Sequence, residues 1–191
     1  MNGIFQHPFN CIVAGPTGSA KSTFIANLIL NMEKYFNVPF EYVTIFLGGD
    51  VADNKPLLRL VNERPNLVNI VELNHKYPSR KELISKFPTD FYSYLHKEKP
   101  GCIIFDDLMS DCGLLNTKIS GHNNLSLIHA TPNISTICHS PQYLVLFFQG
   151  GYYKNFTEEL NQLKTKPPTY LIKDKNKGII AGIIHELENE Y

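Results

Sequence analysis

Continuous apolar runs recur along the chain: NCIVAG, YVTIFLGG, LVNIVEL, CIIFDD, LSLIHAT and YLVLFFQGG. Each is bounded by Gly, Pro, Asn or Asp and lacks the polar alternation of a strand with one wet face. Each therefore predicts a strand buried on both sides. Strands of this kind fit a mainly parallel sheet flanked by helices, an α/β fold. Between the first two runs, STFIANLILNMEKYF sets Ile25, Leu28, Ile29 and Met32 on one face and Asn27, Asn31 and Lys34 elsewhere, the periodicity of an amphipathic helix. Further on, SRKELISKF opens on Ser79 with Glu82 in its first turn, a capping-box pattern that starts another helix. Near the end, TYLIKDKNKGIIAGIIHEL reads as two strands around a polar turn, a β-hairpin at about 169–185. No internal repeat or low-complexity segment interrupts the pattern. The reading is one domain over residues 1–191.

Composition narrows this picture. Hydrophobic residues at 43% and charged residues at 19% are those of a folded domain and exclude a long disordered tail. The longest apolar runs, YLVLFF and GIIAGII, fall far short of the ~20 residues that span a bilayer. The start MNGIFQHPFNCIVAG has neither a basic n-region nor a cleavable apolar core, so an intracellular protein is expected. Eighteen basic residues balance eighteen acidic ones, which argues against a monomer coating nucleic acid through a broad basic face. The basic concentration KTKPPTYLIKDKNKG sets Lys164, Lys166, Lys173, Lys175 and Lys177 against Asp174. It reads as a solvated lysine surface or as a loop that tracks phosphates. Cys11, Cys102, Cys112 and Cys138 have no CxxC spacing, and the first two sit in strand-like runs. Buried free thiols are the expectation.

The chemistry enters with Gly15-Pro16-Thr17-Gly18-Ser19-Ala20-Lys21-Ser22, followed by Thr23. It fits the phosphate-loop pattern GxxxxGK[ST] if alanine is allowed at the second glycine. In that pattern backbone amides curl around phosphates, the lysine meets the β and γ oxygens, and the hydroxyl binds Mg²⁺. Lys21 and Ser22 hold the last two places. The loop follows a strand and opens a helix, whose dipole also favours an anion. Ala20 is expected to be tolerated provided its backbone stays right-handed. The plainer alternative is a glycine-rich turn with an incidental lysine.

A second element is PGCIIFDDLMS, an apolar strand ending in Asp106 and Asp107. In a P-loop ATPase the carboxylate at such a strand end holds the metal's hydration shell, and the next acid orients or deprotonates the attacking water. Asp106 is thus the metal-side residue with Ser22, and Asp107 the catalytic acid. The alternative is that one aspartate only caps a following helix.

Together, HPFNCIVAGPTGSAKSTFIANLI, CIIFDDLMSD, SGHNNLSLIHATPN and YLVLFFQGG resemble the FtsK/HerA-type genome-packaging ATPases of double-stranded DNA viruses. The likeness is to the adintovirus and Polinton kind in particular, and more distantly to the poxvirus enzymes; it runs from about His7 to Phe148. It implies a P-loop NTPase of the ASCE/RecA-like kind that uses ATP and Mg²⁺. It also implies a homo-oligomeric ring, pentamer or hexamer, that pumps double-stranded DNA into a preformed capsid, with a capsid protein as partner. The location implied is the infected cell and the virion. In the family a polar residue after the acidic pair, often glutamine, senses the γ-phosphate. Here Pro132 stands at that place, leaving Asn133 or Thr131 as candidates. Of the family's two histidines before this strand only His122 remains, which suits a structural or subunit-contact role. The family also completes its site with an arginine from the neighbouring subunit. Arg59, Arg64 and Arg80 are the arginines of the chain, with Arg80 preferred because it opens a helix and Arg64 a comparable choice.

Two other classes fit parts of the pattern. One is a different P-loop NTPase, a replication ATPase, helicase or nucleotide kinase, although so few arginines make a phosphate-binding lid hard to build. The other is a nucleotide-binding scaffold with weak turnover, favoured by Ala20 and Pro132.

Overall fold

The computed structural model describes residues 3–73, 98–108, 124–132, 141–148, 169–174 and 178–182. The elements follow in the order β1 (Asn10–Ala14), α1 (Lys21–Leu30), α2 (Met32–Tyr35), β2 (Tyr42–Leu47), a 3₁₀ turn (Val51–Asp53), α3 (Lys55–Glu63) and β3 (Val68–Glu72). Then come β4 (Gly101–Asp106), β5 (Leu125–Thr131), β6 (Tyr143–Phe148), β7 (Thr169–Asp174) and β8 (Gly178–Gly182). The predicted helix opening at Ser79 lies outside the described residues.

All these strands join one sheet in the order β3-β2-β4-β5-β1-β6-β7-β8. The strands from β3 to β6 are parallel, while β7 pairs antiparallel with β6 and β8 with β7. The parallel strands are the continuous apolar runs of the sequence. Every residue of β4 and β5 is buried, as strands covered on both faces must be. Successive side chains alternate between two clusters. Val43, Ile45, Cys102, Ile104 and Ile128 meet Ile25 and Leu28 of α1 and Leu57 and Leu60 of α3. On the other face Phe46, Ile103, Phe105, Leu125 and Leu127 pack with Leu73 and Leu108. Cys11 and Cys102 are buried free thiols within strands, and burial pushes both well above the ordinary thiol range. Cys112 and Cys138 lie outside the described residues.

The run from Ser22 to Phe36, read as one helix, is divided. Asn31 leaves the helical region at φ −113°, ψ 37°, and both its backbone N–H and its side-chain Nδ2 bond the carbonyl of Asn27. A side chain that competes for the same carbonyl ends α1 at Leu30. Arg64 reinforces the end by donating from Nη2 to the Leu30 carbonyl at 3.1 Å, satisfying an acceptor that the helix leaves open. The buried Ile25, Leu28, Ile29 and Met32 nonetheless share one apolar cluster. α3 begins where Asn54 accepts from the Leu57 N–H and Pro56 occupies the first turn. Both choices suit a helix start.

Register aligns the carboxyl ends of the parallel strands. Ala14 pairs with Thr131, and Leu47 lies beside both Asp106 and Glu72. In open α/β sheets ligands bind in the crevice outside this edge. The opposite edge is tied by His7, whose Nδ1 meets Ser126 Oγ and whose Nε2 meets Asn124 Oδ1, each at 2.7 Å.

Candidate functional site

The loop after β1 is shaped by close approach. At Gly15 a Cβ would stand 2.6 Å from Phe147 Cβ and 2.7 Å from Ser19 Oγ, so no side chain fits. The Gly15 N–H bonds the Thr131 carbonyl at 3.2 Å, and the Ser19 N–H bonds that of Pro16 at 3.1 Å. Gly18 has φ 80°, in the left-handed region that glycine enters freely. Ala20 enters it as well, with φ 66° and ψ 24° at the N-cap of α1. This corrects the expectation of a right-handed Ala20. The chain must reverse its hand between the loop and the first helical turn, and the methyl group does not prevent it. The conformation costs about 1 kcal/mol that glycine would not incur. Ala20 has no side-chain oxygen and so makes no side-chain cap bond to the first amides of the helix.

Lys21 opens α1 and is 8% exposed. Its Nζ lies back over the loop, donating to the Gly15 carbonyl at 2.8 Å and the Pro16 carbonyl at 3.0 Å. Ser19 Oγ is buried with no hydrogen-bond partner among the described residues. A buried hydroxyl in that state costs ~1–3 kcal/mol, which an anion or water in the loop would relieve.

Ser22 Oγ donates to Asp106 Oδ2 at 2.8 Å, and Asn54 Nδ2 donates to the same oxygen at 3.3 Å. Asp106 is 1% exposed. Burial raises its pKa above the ordinary carboxylate value, the bond from Ser22 opposes that rise, and the Asp107 charge adds to it. Lys21 and Asn54 act with Ser22 to favour the ionised form. A buried carboxylate and a hydroxyl this close make an all-oxygen donor pair suited to a hard cation such as Mg²⁺. Asp107 follows in the left-handed region at φ 56°.

These groups share one cleft of about 750 Å³. Of the sequence-predicted loop residues, Thr17, Gly18, Ala20, Lys21, Ser22 and Thr23 line it, together with Asp106 and Asp107. Gly15, Pro16 and Ser19 shape the loop behind them. Thr131, 1% exposed, ends β5 between the loop strand and the acidic strand. Asn133, Arg80 and His122 lie outside the described residues, as do Lys164, Lys166, Lys175 and Lys177. Arg59 is bonded to Glu63 along α3 at 2.6 Å, and Arg64 is engaged with the end of its own α1.

The sequence reading missed the far wall, formed by Gly48, Gly49, Asp50, Asp53, Asn54 and Lys55. Two signals were present. LGGD follows β2 at the same strand edge, and Asn54 precedes Pro56 as a helix start.

No family model and no curated protein matches the chain. Among solved structures it is similar to EssC (ATPases 2 and 3) from Geobacillus thermodenitrificans, with a TM-score of 0.50 and 16% identity. The match covers 91% of this chain and 39% of that one, so this chain spans well under half of the protein it resembles. Among the described residues no helix is long and apolar enough to cross a membrane. The chain has an α/β fold, similar to that of a protein that carries ATPase domains.

Proposed function

We propose that this chain is a P-loop ATPase of the ASCE/RecA-like kind, acting as a ring-forming translocase that packages double-stranded DNA into a viral capsid. The observation that carries the ATPase part is the 2.8 Å contact of Ser22 with Asp106 beside Lys21, at the carboxyl edge of a parallel sheet. The loop with its hydroxyl and the buried carboxylate converge there although 84 residues separate Ser22 from Asp106. The fold similarity to EssC supports the same reading. The DNA, the ring and the capsid rest on the resemblance of the sequence blocks between His7 and Phe148.

In this reading the loop amides and Lys21 hold the phosphates of ATP. Lys21 exchanges the Gly15 and Pro16 carbonyls for phosphate oxygens, so its present bonds keep the ammonium group satisfied until then. Ser22 and Asp106 would hold Mg²⁺, which would supply positive charge against the phosphates. Asp107 orients the attacking water and accepts its proton as the bond to the γ-phosphorus forms and the bond to the β,γ-bridging oxygen breaks. Asn133 or Thr131 serves as the γ-phosphate sensor. Arg80 supplies the cation in trans.

Hydrolysis measured against protein concentration, with and without double-stranded DNA and with Lys21→Ala as blank, tests the proposal. Turnover that rises cooperatively with concentration and is stimulated by DNA is expected. Turnover linear in protein and indifferent to DNA points instead to a self-contained NTPase or kinase. The left-handed Ala20 and the self-bonded Lys21 favour a second reading, a nucleotide-binding scaffold with weak turnover. That reading predicts nucleotide binding with only weak hydrolysis that neither DNA nor capsid protein raises.

A further inference from the structure

Asp107 is the point at which the chain passes from the cleft to the opposite face of the sheet. Its own residue lines the cleft, while Leu108 is wholly buried in the second apolar cluster with Phe46, Phe105 and Leu127. The crossing is made through a left-handed backbone at φ 56°, a conformation that aspartate enters more readily than most residues and that neighbouring contacts can fix. Two contacts do so. The Leu108 side chain fills the apolar cluster, and the Leu108 carbonyl lies 3.2 Å from His129 Nε2.

His129 is itself firmly placed. It sits on β5 in register with Phe105, is 8% exposed, and has its ring 6.0 Å from the Phe105 ring in an edge-on contact. A carbonyl only accepts, so Nε2 carries the proton of this pair. Burial holds the imidazole below its ordinary range, in keeping with a neutral ring. A buried histidine satisfied by a carbonyl is usually a core residue and nothing more. Here the carbonyl belongs to the residue directly after the acidic pair.

We propose that His129 is a positioning residue for Asp107: by donating to the Leu108 carbonyl it fixes the left-handed turn that presents the Asp107 carboxylate to the cleft. The part of this that concerns turnover rests on the ATPase reading above. The geometric part stands apart from it.

The test compares His129→Gln, whose side-chain N–H sits as many bonds from the backbone as Nε2 does, with His129→Leu, which has no donor. His129→Phe replaces the leucine variant if the latter does not fold. The donor-less variant is expected to lose 10- to 100-fold in kcat while its nucleotide Kd stays within about 3-fold. The glutamine variant is expected to recover kcat to within about 3-fold of wild type. Backbone amide resonances of Asp107 and Leu108 are read in parallel, and they need no turnover. They are expected to move in the donor-less variant and to return in His129→Gln. Equal kcat and equal amide shifts across the series, or equal losses in both variants, overturn the proposal. A wild type that binds nucleotide without hydrolysis overturns the ATPase reading instead, and the amide shifts then decide the geometry alone. Failure of every variant to fold assigns His129 to the core and overturns the positioning role.

Discussion

Ser22 Oγ and Asp106 Oδ2 stand 2.8 Å apart, a hydroxyl at the first turn of α1 donating to a carboxylate at the end of β4 across 84 residues of sequence. The contact satisfies a carboxylate that burial disfavours in its charged form. It does not fully offset that burial, and the carboxyl stays above its ordinary range.

Asp106→Asn is therefore expected to raise the thermal stability of the ligand-free protein at neutral pH while abolishing Mg²⁺-dependent turnover. The sign follows from linkage. The folded-state pKa of Asp106 lies above its ordinary value of 3.8, chiefly through burial. Its favourable contribution is complete below 3.8 and is lost as pH rises through the higher folded value. Thermal melts of both proteins from pH 3 upward, without metal or nucleotide, check this. The advantage of the asparagine variant should grow with pH and then level off, and added MgATP should stabilise the wild type only.

Ala20 predicts a second effect. Ala20→Gly removes the steric cost of the left-handed backbone but adds freedom to the unfolded chain. A net gain of about 0.5 kcal/mol is expected. Ala20→Val places a β-branched side chain at φ 66° and is expected to lose about 2 kcal/mol. Denaturant midpoints of the three proteins read both differences. A right-handed Ala20 would give the reverse result for glycine, a loss of about 1 kcal/mol.

Arg64 is engaged within its own chain, and Arg64→Ala should show it. Loss of its bond to the Leu30 carbonyl is expected to cost about 1 kcal/mol, or roughly 2–4 °C in Tm for a domain of this size. Turnover per folded subunit should change less than about twofold. A Tm equal to wild type with turnover lowered more than tenfold would instead make Arg64 the cation supplied in trans.

Asp107→Asn is expected to bind ATP normally and to lose about 10²- to 10⁴-fold in kcat, since an amide cannot take the proton. Asparagine tolerates the left-handed region as aspartate does, so the turn at φ 56° is preserved and the effect is chemical. Nucleotide binding by fluorescence and turnover by phosphate release are compared on the same preparation. Normal turnover removes Asp107 from its role.

Much of this protein is written locally in its sequence. The apolar runs from NCIVAG to YLVLFF became β1 to β6 because a strand of a covered sheet needs only a short contiguous stretch of apolar residues, although β3, at the sheet edge, is covered only in part and leaves Asn69 and Glu72 exposed. Lys21, Ser22, Asp106 and Asp107 were legible as candidates for the same reason, each lying in a short run whose chemistry is carried by spacing. Tertiary structure alone decided the rest. β5 lies between β1 and β4, so Thr131 stands between the loop and the acids. Asn54, 52 residues from Asp106, donates to it, and His129 reaches the Leu108 carbonyl from another strand. Arg64 satisfies the Leu30 carbonyl at the end of α1 from a distance of 34 residues. Ala20 is left-handed at the junction of loop and helix, against the local preference of alanine. Local pattern determines which segments become strands and helices and which groups they carry. Strand order and the distant partners of each polar atom depend on how those segments share one buried surface, which no single segment encodes.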